Sequence, residues 1–565
     1  MKLLNAMMAV QTEQGAVTDD SLKRLSREAG VPLYRLEGLR SFYPVFRERA
    51  DSRRQLHVCR DVVCAMAAGG DPCQRVTDAL GDRDDVAVHP VSCLGLCDRA
   101  PAALLDDVPV AADAEPLRSA LAAEQTPPLP VMSSRPDRAR WSSGAVVVAG
   151  SPLPTDPYAL TSGRDAYAVA RAQLSAADPE ALIAALTDSG LRGLGGAAFP
   201  TGLKWAFTRK ADGEPKTVVC NADESEPGTF KDRAILECAP HLVIEGMLLG
   251  AWVIGASRGI IYLRHEYAAA ARALQQAIDA AYADGSLGAN VLGAGFRFDL
   301  ELFLSPGGYI LGEETALLEA LEDKRGEPRN KPPFPTTAGL FGKPTLINNV
   351  ETFAAVPVIA DRGADWWCAQ GRDGFSGLKY VSVSGDVQRP GVYCVPWGSP
   401  VSDVLELCGG MRDDVELLAF SPGGASTPFL GPACLETPLD FDAMQQAGSA
   451  LGTGAMVFVG NHRHLLDIVL AQVRFFRNES CGKCVPCRLG SQKAVDMVER
   501  AMAGDLVGAD DWVSLDALHQ TLARTSICGL GQVALMPLVR ALRDFPEEPS
   551  LQQLAAAVPA WRACP

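Results

Sequence analysis

The sequence contains no long apolar run and no convincing secretory signal. Within its 565 residues, no stretch approaches the ~20 consecutive apolar residues that a membrane-spanning helix needs. Residues 1–10 are apolar but carry a single lysine and lead into a polar stretch, which does not fit a signal peptide. We therefore expect a cytoplasmic protein that makes no direct membrane contact.

Positively charged residues are also fewer than negatively charged ones. The chain has 52 lysines and arginines against 68 aspartates and glutamates, a formal net charge of −16. This balance disfavours nucleic acid as a partner, because such binding depends on neutralising many phosphates. Glycine-rich loops can still bind phosphate groups locally through backbone N–H groups. A chain of this length should form several domains.

Cysteine, by contrast, is abundant, with 16 residues. Without a secretory signal, this indicates metal binding in a reducing compartment and not a disulfide framework. Cys481, Cys484 and Cys487 form a C-x2-C-x2-C run, and Cys528 follows much later. Three closely spaced thiolates and one distant thiolate suit the four corners of a cubane iron–sulfur cluster. Structural zinc is the alternative, although zinc sites usually pair two short knuckles.

A second set of cysteines lies near the N-terminus. Cys59 and Cys64 are spaced C-x4-C, and Cys93 and Cys97 are spaced C-x3-C. This spacing fits neither a zinc knuckle nor the plant-type ferredoxin run, but two pairs can hold a two-iron cluster with two thiolates on each iron. The chain is therefore predicted to carry electrons. The remaining cysteines are more typical of small core residues; they are residues 73, 220, 238, 368, 394, 408, 434 and 564.

The pattern of helices and strands predicts a multidomain α/β protein. A strand is expected over Gln55–Cys64 and another over Val86–Val91, each running up to a cysteine pair. Residues 125–140 contain four prolines and are expected to be a linker. The first predicted domain, 1–124, contains N-terminal helices and an α/β unit. It is followed by an α/β domain over 141–372, a β-rich domain over 373–460 and a helical domain over 461–545. A tail is predicted over 546–565.

A glycine-rich loop opens the densest group of motifs. Gly193, Gly195 and Ala198 formally satisfy the dinucleotide fingerprint, but the predicted element before them is a helix and not the strand that the fingerprint requires. We therefore reject a Rossmann dinucleotide site. We predict that the loop binds a phosphate group, and a flexible surface loop is the alternative. Further motifs follow at 220–233, directly after a strand, at 305–315, at 331–335 and at 345–350.

Together these motifs resemble the flavin and NADH-binding subunit of respiratory complex I and its soluble relatives in NAD-dependent hydrogenases and formate dehydrogenases. The resemblance covers about residues 150–545, and the N-terminal part resembles the thioredoxin-like two-iron subunit of the same enzyme, fused in front. It implies a thioredoxin-like [2Fe-2S] domain, an α/β FMN and NADH domain, a soluble-ligand-binding β-grasp module that braces the redox domains, and a helical [4Fe-4S] domain.

The resemblance also implies roles for individual residues. FMN is expected, without a covalent link, against Gly193, Gly195, Gly196, Lys204, Asn221, Asp223, Tyr309, Gly312, Asn348 and Asn349. NAD is expected against Phe199, Phe207, Glu226, Glu313, Glu314, Lys331 and Phe334, with Glu226 orienting the nicotinamide. Glu224 and Ile347 are expected to contact one of these cofactors. No side chain is expected to act as a general acid or base, since the flavin itself handles the hydride.

Three sequence features indicate which branch of this family the chain resembles. Leu194 stands where complex I relatives usually carry arginine, Ser305-Pro306-Gly307-Gly308 replaces a more usual Gly-Ala-Gly-Ala, and residues 475–484 read Phe-Phe-Arg-Asn-Glu-Ser-Cys-Gly-Lys-Cys. These features look most like the β subunit of soluble NAD-dependent formate dehydrogenase. That likeness implies a catalytic partner carrying molybdopterin or tungstopterin and further iron–sulfur clusters. A diaphorase subunit of a hydrogenase or of complex I, and a flavin-free electron-transfer scaffold, remain the alternatives.

Overall fold

The structure is a computed structural model, and it describes residues 2–122, 147–148, 151–152, 166–505 and 509–556. The predicted linker, 125–140, lies outside these ranges. The N-terminal domain begins with the helices Lys2–Gln14, Asp19–Ala29 and Leu33–Phe42. Its sheet contains Arg54–Cys59, Val86–Val91, Ala102–Leu105 and Val108–Ala111, with the helices Val62–Ala68, Pro72–Leu80 and Ala114–Ala122 and a 3-10 turn at Cys97–Arg99.

The strand predicted over Gln55–Cys64 is too long. The strand ends at Cys59, and Cys64 lies on the helix Val62–Ala68. Asp61 takes the N-cap position of this helix, and alanine, a strong helix former, is frequent within it. The first two strands of the sheet pair in parallel from Arg54 with Val86 to Cys59 with Val91. Cys59 therefore ends one strand next to the strand that leads to Cys93.

The second domain is built on a parallel sheet of four strands. In spatial order they are Thr345–Asn349, Thr217–Ala222, Arg258–Arg264 and Asp299–Ser305. The surrounding helices are Ala168–Ala176, Pro179–Asp188, Thr201–Lys210, Lys231–Cys238, Pro240–Ile254, Ala268–Ala283, Glu314–Leu321, Pro335–Ala338, Val350–Arg362 and Ala364–Cys368. Short 3-10 turns cover Val291–Gly293, Tyr309–Gly312 and Leu340–Gly342. Because all pairings are parallel, the carboxyl ends of the strands meet at one edge, where ligands bind in such sheets.

Pro240–Ile254 is the most apolar helix of this domain and is almost entirely buried. In the described part of the chain, no single helix is long and apolar enough to cross a membrane. Lys231–Cys238 and Pro240–Ile254 reach the required length and composition only as a pair, and the pair is bent by 96°.

Two smaller domains complete the chain. The β-rich module contains Leu378–Gly385, Gly391–Pro396, Leu417–Ser421 and Ala455–Gly460, with the helices Val401–Leu407 and Phe441–Gln446 and a 3-10 turn at Pro432–Cys434. Its first two strands form an antiparallel hairpin. The last domain contains the helices Leu465–Asn478, Val485–Met502, Ala509–Thr525, Gly529–Val533, Met536–Asp544 and Pro549–Ala556. A further short hairpin pairs Val147–Val148 with Ser151–Pro152.

The final helix corrects the predicted tail over 546–565. Pro549–Ala556 is helical and packs on the domain, with Leu551 fully buried and the Leu466 N–H donating to Ser550 Oγ at 3.1 Å. Glu548 accepts the N–H of Leu551 at 3.0 Å, which satisfies one of the unpaired donors at the start of a helix. The helical domain therefore extends at least to residue 556.

Candidate functional site

The polar residues predicted to line a cofactor gather at the carboxyl edge of the parallel sheet. Asn348 and Asn349 end one strand, and Asn221 lies beside Asn349 near the end of the next. The Asn221 amide donates to the Gly312 carbonyl at 2.8 Å. A Cβ on Gly312 would lie 3.2 Å from the Asp223 carbonyl oxygen, so the turn can approach the sheet closely only because it carries glycine there.

The glycine-rich loop lies directly over this edge. Gly193 donates to the Phe199 carbonyl at 2.8 Å, and Ala198 donates back to the Gly193 carbonyl at 3.2 Å. A Cβ on Gly195 would come within 2.9 Å of the Asn349 Cβ. A helix, Pro179–Asp188, precedes the loop, in agreement with the rejection of a Rossmann fingerprint. The loop exposes backbone close to the sheet edge, which is the arrangement that a flat ring with a phosphate tail requires.

Lys204 provides a cation beside this loop. Its Nζ donates to the Ile347 carbonyl at 3.0 Å, and burial lowers its pKa while Glu314 opposes that shift. An ammonium group has three donors and can therefore serve a phosphate as well as this carbonyl. The next residue, Trp205, donates from its indole to Asn348 Oδ1 at 3.0 Å. The helix Thr201–Lys210 thus fixes both the cation and one of the two amides.

Aromatic rings and charged groups flank the same helix. Phe199, Phe207 and Phe334 are 41%, 49% and 55% exposed, although large aromatic side chains are usually well buried. The helices Thr201–Lys210 and Pro335–Ala338 contact each other, which brings the last two rings to neighbouring elements. Exposed rings of this kind can stack on an adenine.

Lys331 forms ion pairs with two glutamates. Lys331 Nζ lies 2.8 Å from Glu313 and 3.0 Å from Glu314. Glu313 also caps the helix Glu314–Leu321, accepting from the N–H groups of Thr315 and Ala316. The two carboxylates and the lysine predicted to receive NAD are therefore grouped together.

Glu226 is held in a buried position between two domains. Tyr309 donates its hydroxyl to Glu226 Oε2 at 2.5 Å, and the Ser426 N–H of the β-rich module donates to Oε1 at 2.7 Å. Burial raises the pKa of Glu226. Sequence reasoning did not include Ser426, which lies about two hundred residues away along the chain and carries no motif of its own.

The neighbouring carboxylates have different tasks. Asp223 accepts from Ser305 Oγ at 2.9 Å, and burial raises its pKa to about 6. Glu224 accepts the N–H groups of Asp232 and Arg233 at 2.8 and 3.0 Å, and burial raises its pKa to about 7. Glu224 therefore caps the helix Lys231–Cys238, and its contact with a cofactor stays a prediction.

A buried group of charges missed by the sequence analysis orients Asn349. Its amide donates to Asp232 Oδ2 at 2.5 Å, and Lys231 pairs with both Asp232 at 2.7 Å and Glu351 at 2.9 Å. Lys379 of the β-rich module pairs with Glu351 at 2.6 Å. The run of charges directly after Gly228-Thr229-Phe230 is a signal that could have indicated this buried network.

The four N-terminal cysteines converge in the structure. Cys59, Cys64, Cys93 and Cys97 are all buried. The Sγ atoms of Cys93 and Cys97 are 3.6 Å apart, and Cys59 interacts with both Cys64 and Cys93. The arrangement fits two thiolates on each of two irons.

The two-iron loop docks on the parallel-sheet domain. Arg233 donates to the Gly95 carbonyl at 2.6 Å and pairs with Asp98 at 2.8 Å. Arg264 donates to the Cys93 carbonyl. The Cys97 thiol contacts the backbone N–H of Gly228, within the motif at 220–233. The predicted two-iron site is therefore adjacent to the predicted flavin site.

The C-terminal cysteines meet where two helices begin. Cys484 is the N-cap of Val485–Met502, and Cys528 is the N-cap of Gly529–Val533. Electrostatic interactions link Cys487 to Cys481, Cys484 and Cys528, and burial raises the Cys487 pKa to about 12. The N-terminus of the longer helix favours the negative charge of a thiolate cluster.

Within the described ranges, no group of three or more His, Cys, Asp and Glu side chains could hold one metal ion. An iron–sulfur cluster makes a different demand, because its thiolates bind different irons. The mutual contacts among the four thiols of each set fit an iron–sulfur cluster.

Four family models match the chain in order. They are the thioredoxin-like [2Fe-2S] ferredoxin over 1–122, the Nuo51 FMN-binding domain over 186–358, the SLBB domain over 380–430, and the NADH-ubiquinone oxidoreductase-F iron–sulfur binding region over 467–551. An NADH-quinone oxidoreductase F subunit of Rhizobium meliloti is 43% identical, over 68% of this chain and 91% of that protein.

The alpha subunit of the NAD-reducing hydrogenase HoxS of Cupriavidus necator is 37% identical, over 97% of this chain and 91% of that protein. The chain belongs to the family of NADH-oxidising flavin and iron–sulfur diaphorase subunits. A crystal structure of an NAD+-reducing [NiFe]-hydrogenase in the H2-reduced state matches this diaphorase subunit with a TM-score of 0.82 and 33% identity, covering 98% of this chain and 92% of that one.

Family membership confirms the predicted fold class and cofactors. The diaphorase subunit has thioredoxin-like, FMN-binding, SLBB and [4Fe-4S] domains, and it uses FMN, NAD(H), one [2Fe-2S] and one [4Fe-4S] cluster. The flavin-free scaffold does not fit a chain with a matched FMN-binding domain.

Proposed function

We propose that this diaphorase subunit serves a cytoplasmic NAD-dependent formate dehydrogenase. Its catalytic partner would carry molybdopterin or tungstopterin and further iron–sulfur clusters, and electrons would pass through the [4Fe-4S] cluster and FMN to NAD+. The observation that supports this assignment is the set of departures at the flavin loops. Leu194 is buried there, and Gly307 and Gly308 adopt φ values of +86° and +114°, a conformation that favours glycine.

We assign the site residues by their contacts. FMN interconverts a two-electron hydride and single electrons when bound. Lys204 would hold its phosphate, and the amides of Asn221 and Asn348 would lie along its ring. Phe334 would stack on the adenine of NAD, and Lys331 would bind its ribose or phosphate oxygens.

Glu226 and Tyr309 would position the nicotinamide. Their short mutual hydrogen bond and the Ser426 N–H fix the carboxylate without placing it in contact with bulk water. None of these residues needs to exchange a proton with substrate.

The assignment is tested on the chain purified with its bound subunits from the native host. We expect formate-dependent NAD+ reduction and molybdenum or tungsten in the complex. The purified chain alone should oxidise NADH with artificial acceptors and should show no formate-dependent NAD+ reduction. Formate oxidation by the isolated chain, or a complex that is inactive with formate, would contradict the assignment.

A hydrogenase partner is the second candidate. The similarity to the HoxS alpha subunit extends over 97% of this chain and so includes its N-terminal two-iron domain, whereas the similarity to the Rhizobium meliloti protein covers 68%. The same preparation distinguishes the two candidates: H2-dependent NAD+ reduction together with nickel would identify a hydrogenase.

A further inference from the structure

Glu479 joins three domains through one side chain. It directly follows the helix Leu465–Asn478 and stands two residues before the cluster ligand Cys481. Its Oε2 accepts the backbone N–H of Tyr309 at 2.8 Å. Its Oε1 accepts the hydroxyl of Ser92, the residue before the two-iron ligand Cys93. One carboxylate from the [4Fe-4S] domain therefore contacts both the flavin-site turn and the two-iron loop.

Tyr309 is fixed from three directions by this arrangement. Its N–H is held by Glu479, and its hydroxyl by Glu226. Its ring packs edge-on against Phe475 and Phe476, with centroids 4.9 and 6.3 Å away. The preceding turn contains two consecutive glycines with positive φ, so the backbone there has few intrinsic restraints. The contact from Glu479 therefore supplies a restraint that the turn lacks.

The hydrogen bonds continue into the fourth domain. Glu226, which receives the Tyr309 hydroxyl, also accepts the Ser426 N–H of the SLBB module. Ser92, Glu479, Tyr309, Glu226 and Ser426 thus form one chain of contacts across all four domains. Each of these contacts joins residues at least 83 positions apart in the sequence.

We propose that Glu479 is a positioning residue. It fixes the position of Tyr309 relative to the flavin, and the position of the two-iron loop relative to Tyr309 and the flavin. It acts through two hydrogen bonds, one with the Tyr309 N–H and one with the Ser92 hydroxyl, so the hydrogen-bonding geometry of its side chain matters and its charge does not. The inference rests on the proposed placement of the flavin beside Tyr309. It does not depend on the identity of the catalytic partner.

Three variants of the full chain, loaded with cofactors, test the inference. Glu479→Ala removes both contacts. Glu479→Gln keeps them, because its Oε1 can accept from the Tyr309 N–H while its amide donates to a rotated Ser92 hydroxyl. Glu499→Ala is the matched control: it removes a carboxylate of the same domain whose ion pair, with Arg474, is largely exposed.

We expect Glu479→Ala to lower kcat for NADH oxidation by about ten- to a hundredfold, since ~1 Å of misplacement at a reacting centre can cost about 10²-fold. Its KM for NADH should change less than kcat. Glu479→Gln and the control should stay close to wild type. A Glu479→Ala protein with full cofactors and unchanged kcat would overturn the proposal. So would a Glu479→Gln protein, equally loaded, that loses as much activity as the alanine variant.

A second readout separates this inference from the proposed function. EPR spectra of the dithionite-reduced protein and visible circular dichroism of the oxidised protein report the surroundings of the clusters and the flavin without any NADH turnover. We expect the two-iron signal to change in Glu479→Ala and to be retained in Glu479→Gln and the control. Unchanged spectra in the alanine variant would overturn the proposal even if NADH oxidation were slowed. If that variant loses its cofactors, the glutamine variant decides: with full cofactors, a kcat and a two-iron signal close to wild type support the proposal, and a tenfold or larger loss of kcat overturns it.

Discussion

Replacing Gly95 with alanine should detach the two-iron loop from the flavin domain. Gly95 lies between Cys93 and Cys97 and has φ +66°. A Cβ at this position would come within 2.2 Å of the Tyr267 hydroxyl and 2.5 Å of its ring. The ring cannot easily yield, because Tyr267 is 3% exposed and its hydroxyl contacts Glu224 at 3.0 Å. Alanine would therefore collide with a fixed, buried side chain.

Gly69 provides a matched control in the same domain. It has φ +68°, and no atom lies within 4 Å of the position that its Cβ would take. The backbone conformation alone should cost about 1–2 kcal/mol in either variant. Gly95→Ala should cost about 1–3 kcal/mol more, because overpacking a closed site forces its neighbours to move. The difference between the two variants isolates the contact with Tyr267.

The assay compares the thermal unfolding midpoint, the iron content and the two-iron EPR signal in both variants. We expect Gly95→Ala to have the lower midpoint and to lose much of the two-iron signal, while Gly69→Ala keeps it. Equal losses in the two variants would refute the reasoning, since they would show that the left-handed backbone and not the docking contact is responsible.

Three further predictions follow from the site. Cys484→Ser should remove the [4Fe-4S] cluster and about four irons while FMN stays bound, as checked by iron and flavin analysis; retention of all the iron would contradict the ligand assignment. Lys204→Met should weaken FMN binding roughly ten- to a hundredfold, since a charged hydrogen bond contributes about 1.5–3 kcal/mol, whereas Lys210→Met at the exposed end of the same helix should not; flavin titration of the apoprotein measures this. Glu245 is fully buried, and burial raises its pKa to about 7. Between the usual pKa of a glutamate and pH 7, the folded state therefore binds more protons than the unfolded state. The free energy of unfolding should fall as the pH rises through that window. Glu245→Gln should flatten this dependence of the unfolding midpoint, and an unchanged slope would contradict it.

The sequence is sufficient to locate two strands of the N-terminal sheet. The strand predicted over Val86–Val91 has those bounds in the structure, and the strand predicted from Gln55 begins one residue earlier, at Arg54. These segments combine apolar runs with clear boundary residues, so local pattern and tertiary burial agree. Cys64 was misplaced on a strand because valine-rich runs are ambiguous between strand and helix.

Contacts between segments that are far apart in the chain could not be predicted from the sequence. In the first N-terminal helix, Lys2–Gln14, the N–H groups of Leu3 and Leu4 are satisfied by Asp323 at 3.1 Å each. Such a partner cannot be read from local pattern. The role of Glu479 is hidden for the same reason: the motif around Cys481 shows the ligand, while its contacts lie in two other domains.

This chain is an NADH diaphorase subunit that uses FMN and two iron–sulfur clusters. The most direct test is NADH-dependent reduction of a viologen by the anaerobically purified chain, with released flavin and iron counted in the same sample. We expect activity together with one FMN and about six irons, four from the cubane and two from the two-iron cluster. Iron without flavin or activity would contradict it and would reduce the chain to an electron-carrying scaffold.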